Sequence, residues 1–517
     1  MKHTKQTNHI TELSITEVNK MISNASVYDV AEVSDLHIAK LLSKRLDNNI
    51  WLKREDQQSV FSFKLRGAYN KISHLDETQQ KAGIIAASAG NHAQGVALAA
   101  QRLNISAAIV MPVTTPSIKV DSVRAMGAEV ILQGDNYDEA CTHAYQLADE
   151  TNKVFIHPYD DVEVIAGQGT IGKEILEQFK GRIDAIFVPV GGGGVIAGVA
   201  AWIKQYSPQT KIIGVEPEDA ATLYSAMQAG ERVELAQVGI FADGVAVKKI
   251  GKNTFEMAKD LVDEVILVSI DELCAGIKDI FDDTRVVSEP AGALAAVGAK
   301  KYVQREQCKQ LNLVAINSGA NINFDRLRHV TERTELGEGR EALFAVTIPE
   351  QKGSFLKFCT LLGNHSISEF NYRYASEEEA HIFVGVKFEN TDTQKSLMID
   401  QLTSQYYPVT DLSDNEVAKL HVRHMVGGRS PQLKDELIYR FEFPERPGAL
   451  LRFLSVMGSK WNISLFHYRN HGAAYGRVLV GAQVPASEVD EFKGFLQKLG
   501  YAYYDETDNP IYALFLK

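Results

Sequence analysis

Cysteine is scarce in this chain: Cys141, Cys274, Cys308 and Cys359 are the only four in 517 residues, widely spaced and with no CxxC pair. The scarcity argues against a disulfide framework, gives no zinc-ligand spacing, and leaves no metal site to expect; a reducing cytoplasm fits best. Long apolar runs are also missing. No segment reaches the ~18 apolar residues of a membrane span, and the opening MKHTKQTNHITELSITEVNK lacks the apolar core of a secretory signal. Dense basic stretches are absent as well, with 54 basic against 66 acidic residues and a net charge of −12. Nothing there would track a phosphate backbone, so nucleic acid is not an expected partner.

What is present reads as a multidomain globular protein. The chain is 45% hydrophobic and 23% charged, ordinary globular composition, and its length calls for roughly two to four cores. From about residue 84 to 317, short apolar runs recur between segments of helical periodicity: IIAA, AIVM, EVIL, VFI, AIFVPV, KIIGV, EVILV and LNLVAI. Strand-length runs rich in Val and Ile, often closed by Gly or Pro, predict buried parallel strands with helical crossovers, a doubly wound α/β architecture. Ligands in such sheets bind beyond the carboxyl ends of the strands, so the loops after these runs are the places to look for chemistry.

Near TERTELGEGRE, residues 331–341, a charged, glycine-containing stretch suits a linker. Beyond it the pattern repeats: IPEQKGSFLKF (348–358) aligns without gaps to FPERPGALLRF (443–453), and NYR (371–373) answers NYR-like HYR (467–469). Each copy predicts a βαββαβ module with alternating strands that suit a sheet with one exposed face. The expected organisation is an α/β region over 1–330, a linker over 331–341, and α+β repeats over 342–418 and 437–517. The less favoured alternative is that two copies build one larger core with no ligand role.

Three strand-to-loop transitions carry polar or glycine-rich signals. In IDAIFVPVGGGGVIAGVAAWIK, a strand runs into Gly191, Gly192, Gly193 and Gly194, and a helix follows near Val195. Side-chain-free residues at a helix N-terminus let backbone N–H groups close on an anion, which favours a phosphate site over a tight packing turn. In IIAASAGNHAQGVALAAQRL, the loop Ser88, Ala89, Gly90, Asn91 and His92 offers hydroxyl, amide and N–H donors suited to a carboxylate, or plain N-capping by Ser88 or Asn91. In LNLVAINSGANINFDRL, Ser318 and Gly319 directly follow the strand. The segment GQGTIG, residues 167–172, satisfies GxGxxG, but DDVEVIA before it is a poor strand and Asp184 precedes the next strand instead of ending it. A dinucleotide site is therefore not expected.

The segment VFSFKLRGAYNKI places a cation, Lys64, between Phe63 and Leu65. With Ser62 as the expected N-cap, Phe61, Leu65, Ala68 and Ile72 form an apolar helical stripe and Lys64 lies at its edge. Lys71 projects in nearly the same direction, so spacing leaves open whether either lysine is a nucleophile or merely snorkels.

Taken together and in order, SFKLRGAYNKI, SAGNHAQGVA, VGGGG and NSGAN resemble the signatures of the threonine and serine dehydratases. These are fold type II (tryptophan synthase β-like) enzymes that use pyridoxal 5′-phosphate (PLP). The duplicated module after residue 342 resembles the ACT-like regulatory region of the biosynthetic threonine ammonia-lyases, and the likeness extends over nearly the whole chain. The resemblance implies that Lys64 forms the Schiff base with the cofactor, Asn91 faces its 3′-oxygen, Gly191 to Val195 cradle its phosphate, and Ser318 meets the pyridine nitrogen. It further implies that the Ser88–His92 loop holds the substrate carboxylate. The implied reaction converts L-threonine (and L-serine in kind) with loss of ammonia, giving 2-oxobutanoate from threonine, the first step of isoleucine biosynthesis. Isoleucine is the implied inhibitor, valine its antagonist, and a homotetramer the implied assembly. Tyr372, Arg373, Tyr468 and Arg469, at equivalent repeat positions, are candidate effector contacts or structural residues. Val195 stands where the family usually carries leucine, which leaves the backbone donors untouched. A serine dehydratase or racemase would keep every motif of the first half, and an inert amino-acid sensor is the remaining alternative.

Overall fold

All eight apolar runs become strands. In the computed structural model, which describes residues 14–389, 391–430, 432–444, 448–457, 460–469 and 475–517, they are β3 (Ile84–Ala87), β4 (Ala107–Met111), β5 (Glu129–Leu132), β6 (Val154–Phe155), β7 (Ala185–Pro189), β8 (Lys211–Pro217), β9 (Glu264–Val268) and β10 (Asn312–Asn317). Two more strands, β1 (Leu36–Ile38) and β2 (Asn49–Arg54), precede them. The sequence hides β2 because its inner face carries a charge: Lys53 is fully buried and pairs with Glu174 at 2.6 Å.

The chain divides into the units Met1–Thr334 and Glu335–Lys517. In the first, one sheet has the order β1-β2-β10-β7-β8-β9 and another β5-β4-β3-β6. All their pairings are parallel except the edge pair β1–β2. Strand β7 shows why its sequence is a continuous apolar run: Ile186 and Val188 join one buried cluster, Ala185 and Phe187 another, so both faces are covered.

GQGTIG, where no dinucleotide site is expected, lies inside the helix Val162–Gln178, which Asp161 caps, and so has neither the preceding strand nor the turn such a site needs. Other local expectations change. Ser62 does not cap the helix Lys64–Ser73; it forms a β-bridge with Gly319, and Phe61 stands off the helix, largely exposed. The 331–341 stretch is not an irregular linker, because a helix spans Arg326–Gly337. Two of its polar residues are drawn into the first unit: Arg333 pairs with Asp271, and the Thr334 hydroxyl donates to the Cys274 carbonyl at 3.3 Å.

The second unit holds β11 (Glu341–Pro349), β12 (Ile367–Arg373), β13 (Glu379–Lys387), β14 (Val409–Asp411), β15 (Glu436–Pro444), β16 (Asn462–Arg469), β17 (Tyr475–Gln483) and β18 (Ala502–Asp505). Helices Ser354–Leu362, Thr391–Ser404, Ala449–Met457 and Val489–Leu499 complete two βαββαβ modules. Antiparallel pairing of β12 with β16 fuses them into one sheet of order β14-β11-β13-β12-β16-β17-β15-β18. Alternating residues such as Ile382, Val384 and Val386 face a core shared by both modules.

Candidate active site

Four segments far apart in sequence converge on one cavity in the first unit. Lys64, Asn91, the Gly191–Gly194 loop with Val195, and Ser318 all line it, together with Phe63, Tyr159, Gln168 and Glu289. Backbone pairing explains the meeting of Lys64 and Ser318: Phe63 N donates to Ser318 O at 3.2 Å and Ala320 N to Phe61 O at 2.9 Å. The first helical residue after this strap is Lys64, whose Nζ donates to the Pro158 carbonyl at 3.1 Å. Lys71, two turns on, pairs with Asp161 at 2.8 Å and does not line the cavity. Of the two lysines that helical spacing left open, Lys64 is the one that lines the cavity.

The glycine loop leads from β7 into the helix Gly194–Tyr206. A Cβ on Gly192 would fall 2.2 Å from the Tyr159 ring, and Gly193 has φ +91°, so neither position accepts an ordinary side chain. Among the described residues the loop therefore turns bare backbone and a helix N-terminus toward the cavity, an anion-binding arrangement.

Asn91 opens the helix Asn91–Leu103 without capping it. Its Nδ2 donates to Glu289 Oε1 at 2.7 Å, and its Oδ1 accepts from Asn321 Nδ2, also at 2.7 Å. Because Asn321 Nδ2 also donates, at 2.8 Å, to the Val60 carbonyl, which can only accept, this chain fixes the amide orientation and leaves one Asn91 N–H for the cavity. Glu289 and Asn321 escape sequence reading, since Glu289 looks like a residue before the helix-opening Pro290 and nothing in its spacing marks it. Ser88 does not cap the helix either; its hydroxyl accepts from Gly90 N at 3.2 Å, and Ser88, Ala89, Gly90 and Asn91 are half-buried. His92 is buried, with Nε2 2.9 Å from the Ile156 carbonyl.

Sequence comparison agrees with this geometry. The family described as pyridoxal-phosphate dependent enzymes matches residues 31–319, and the C-terminal regulatory domain of threonine dehydratase matches twice, at 332–422 and 427–516. A biosynthetic L-threonine dehydratase of Burkholderia multivorans is 55% identical over 96% of this chain and 98% of its own length. That of Escherichia coli is 53% identical over 97% of each. The chain belongs to the PLP-dependent threonine dehydratases. Among solved structures, the processed form of a Solanum lycopersicum threonine deaminase isoform is 52% identical, covers 62% of this chain and 88% of its own, and superposes with a TM-score of 0.62. Maize serine racemase is 31% identical over 60% of this chain and 96% of its own, with a TM-score of 0.57.

The cavity of this threonine dehydratase fits PLP on its own terms. The loop presents bare backbone at a helix N-terminus, with no room for a Cβ at Gly192 against the Tyr159 ring, and the buried Gln168 amide has no hydrogen-bond partner at either end. Burial lowers the Lys64 pKa to about 8, opposed by the charge of Glu289, so the amine loses its proton far more readily than in water. Burial raises Glu289 to about 7, and Asp243 adds to the rise. His92 is pushed down to about 3, by burial first and Lys64 second, which leaves it a neutral structural group and not a base.

In the regulatory unit, strand alternation separates the four candidate effector residues. Tyr372 and Tyr468 lie on the helix-covered face, where the Tyr372 hydroxyl donates to Glu350 at 2.6 Å. Arg373 and Arg469 lie on the other face. Arg373 spans Glu436 at 2.5 Å, the Gly428 carbonyl at 3.0 Å and the Leu516 carbonyl at 2.5 Å, while Arg469 contacts His424 at 3.1 Å. The structure thus places the two tyrosines on one face of the sheet and the two arginines on the other, so the four do not share one face.

Proposed function

We propose that this protein removes ammonia from L-threonine to give 2-oxobutanoate, the opening reaction of isoleucine biosynthesis, with L-serine as a secondary substrate. The observation that carries the reading is the convergence of Lys64, Asn91, the glycine loop and Ser318 on one cavity. PLP, when bound, supplies an electron sink for charge developing at the substrate Cα. Lys64 would hold the cofactor through its ε-nitrogen and is the base placed to take the substrate Cα proton; its lowered pKa serves both tasks. The loop donors and helix start at Gly191–Val195 hold the phosphate. Asn91 gives its remaining N–H to the ring 3′-oxygen. Ser318 meets the pyridine nitrogen as a neutral partner. The Ser88–His92 loop, half-buried over Ser88–Asn91 and buried at His92, presents a helix N-terminus and holds the substrate carboxylate.

In the same reading the second unit is the effector domain, binding isoleucine as inhibitor and valine as its antagonist, in a cytoplasmic homotetramer. Support comes from the duplicated regulatory match and from relatives named as biosynthetic threonine dehydratases. All four repeat residues stay effector candidates, although Tyr372 already donates to Glu350 and Arg373 already binds Glu436 and two backbone carbonyls. Regulation requires that the effectors bind two states of the enzyme unequally.

One experiment tests both halves: ammonia release from threonine, with and without isoleucine, for the native chain and Lys64→Ala. Turnover that isoleucine suppresses, and that vanishes with the visible absorbance of bound cofactor in Lys64→Ala, is expected. Full turnover by Lys64→Ala would refute the catalytic assignment, and indifference to isoleucine the regulatory one.

A further inference from the structure

The GQGTIG segment is no dinucleotide site, but its glycines let its helix pack closely. A Cβ on Gly167 would lie 2.6 Å from the Arg66 carbonyl, one on Gly169 2.5 Å from Ile22, and one on Gly172 3.3 Å from Val199. Their absence lets the helix Val162–Gln178 press against its neighbours. Gln168, between the first two glycines, is thereby brought under the start of the helix Gly194–Tyr206: a Cβ on Gly194 would sit 2.5 Å from Gln168 Oε1.

Gln168 lines the same cavity as Lys64 and the glycine loop. It is 1% exposed, and neither its Oε1 nor its Nε2 has a hydrogen-bond partner. A buried polar group left unpaired costs roughly 1–3 kcal/mol, so an amide unpaired at both ends beside a helix N-terminus is placed for a ligand. Rotation of the terminal amide exchanges its oxygen and nitrogen without moving the rest of the side chain, so an N–H can face the same point. The nearest ligand group that the glycine loop can hold is an anion, which accepts hydrogen bonds and donates none.

We propose that Gln168 is a side-chain ligand of the PLP phosphate, its Nε2–H donating to a phosphate oxygen that the Gly191–Val195 backbone holds from the other side. This deepens the cofactor reading given above and rests on it. It also gives the helix Val162–Gln178 a role in cofactor recognition that its sequence match to GxGxxG misassigned.

The test compares PLP with pyridoxal, which lacks the phosphate, as ligands of the cofactor-free full-length chain. Gln168→Leu is expected to weaken PLP by at least about tenfold, the scale of one hydrogen bond to a charged group, and to change pyridoxal by less than about twofold. The cofactor-free variant should melt no lower than the native chain, because an unpaired buried amide has been replaced by an apolar group. Should that variant fail to fold, the near-isosteric Gln168→Glu decides the matter, since a carboxylate facing phosphate must cost PLP affinity and spare pyridoxal. Equal losses for the two ligands, or no loss for either, overturn the proposal. A native chain that binds PLP no better than pyridoxal overturns instead the reading that the glycine loop holds a phosphate.

Discussion

The lowered pKa of Lys64 has a measurable kinetic consequence. An amine attacks an aldehyde only when neutral, and Lys64 titrates at about 8 because burial disfavours its charged form. At pH 7 such an amine is neutral in roughly 10% of molecules, against about 0.04% for a solvated lysine of pKa ~10.4, a gain of about 200-fold. Capture of PLP by the cofactor-free chain, followed by the rise of visible absorbance, should quicken about tenfold per pH unit up to pH ~7.5 and level off above about 8.5. The same reaction with a small free amine, run in parallel, divides out the cofactor's own titration. Glu289→Gln removes the charge that opposes the shift, so the midpoint should move to lower pH. Lys71→Ala should leave the profile unchanged, since Lys71 pairs with Asp161 away from the cavity. A capture rate that climbs tenfold per unit through pH 10 in the native chain would show Lys64 to be an ordinary solvated amine and refute the argument.

Gly192→Ala would drive a Cβ to 2.2 Å from the Tyr159 ring; the loop must shift, and PLP affinity measured by titration should fall at least about tenfold, consistent with losing one or more phosphate contacts. Arg66→Met would leave Glu55, which Arg66 contacts at 2.7 Å in a fully buried cluster, without a paired cation, and Glu174, contacted at 2.6 Å, with Lys53 alone. The unfolding transition that PLP addition raises should lose about 3–5 kcal/mol, the cost of breaking a buried ion pair from one side. A chain truncated after residue 335, near the boundary between Thr334 and Glu335, should retain threonine-dependent ammonia release and lose its response to isoleucine; an assay showing retained inhibition would place the effector site in the first unit.

The sequence by itself determined what local chemistry can write. Runs such as AIFVPV must be strands buried on both faces, four consecutive glycines before a helix must bring bare backbone close to something, and the matching IPEQKG and FPERPG segments announce duplicated modules. Those signals depend on neighbours within a few residues, and the family resemblance adds their order. Tertiary structure decided whatever depended on partners far along the chain. Lys64 and Lys71 project alike from one helix, but only Lys64 follows the strap that pairs residues 61–63 with 318–320. The same pairing claimed Ser62 as a bridge residue in place of the expected cap. The supposed linker is helical because Arg333 finds Asp271, 62 residues upstream. Glu289 carries no motif, and Gln168 sits only in a GxGxxG match that points to the wrong chemistry. Their place beside the cavity exists only once Asn91, 198 residues from Glu289, and the Gly194 helix start, far from Gln168 in sequence, are folded against them.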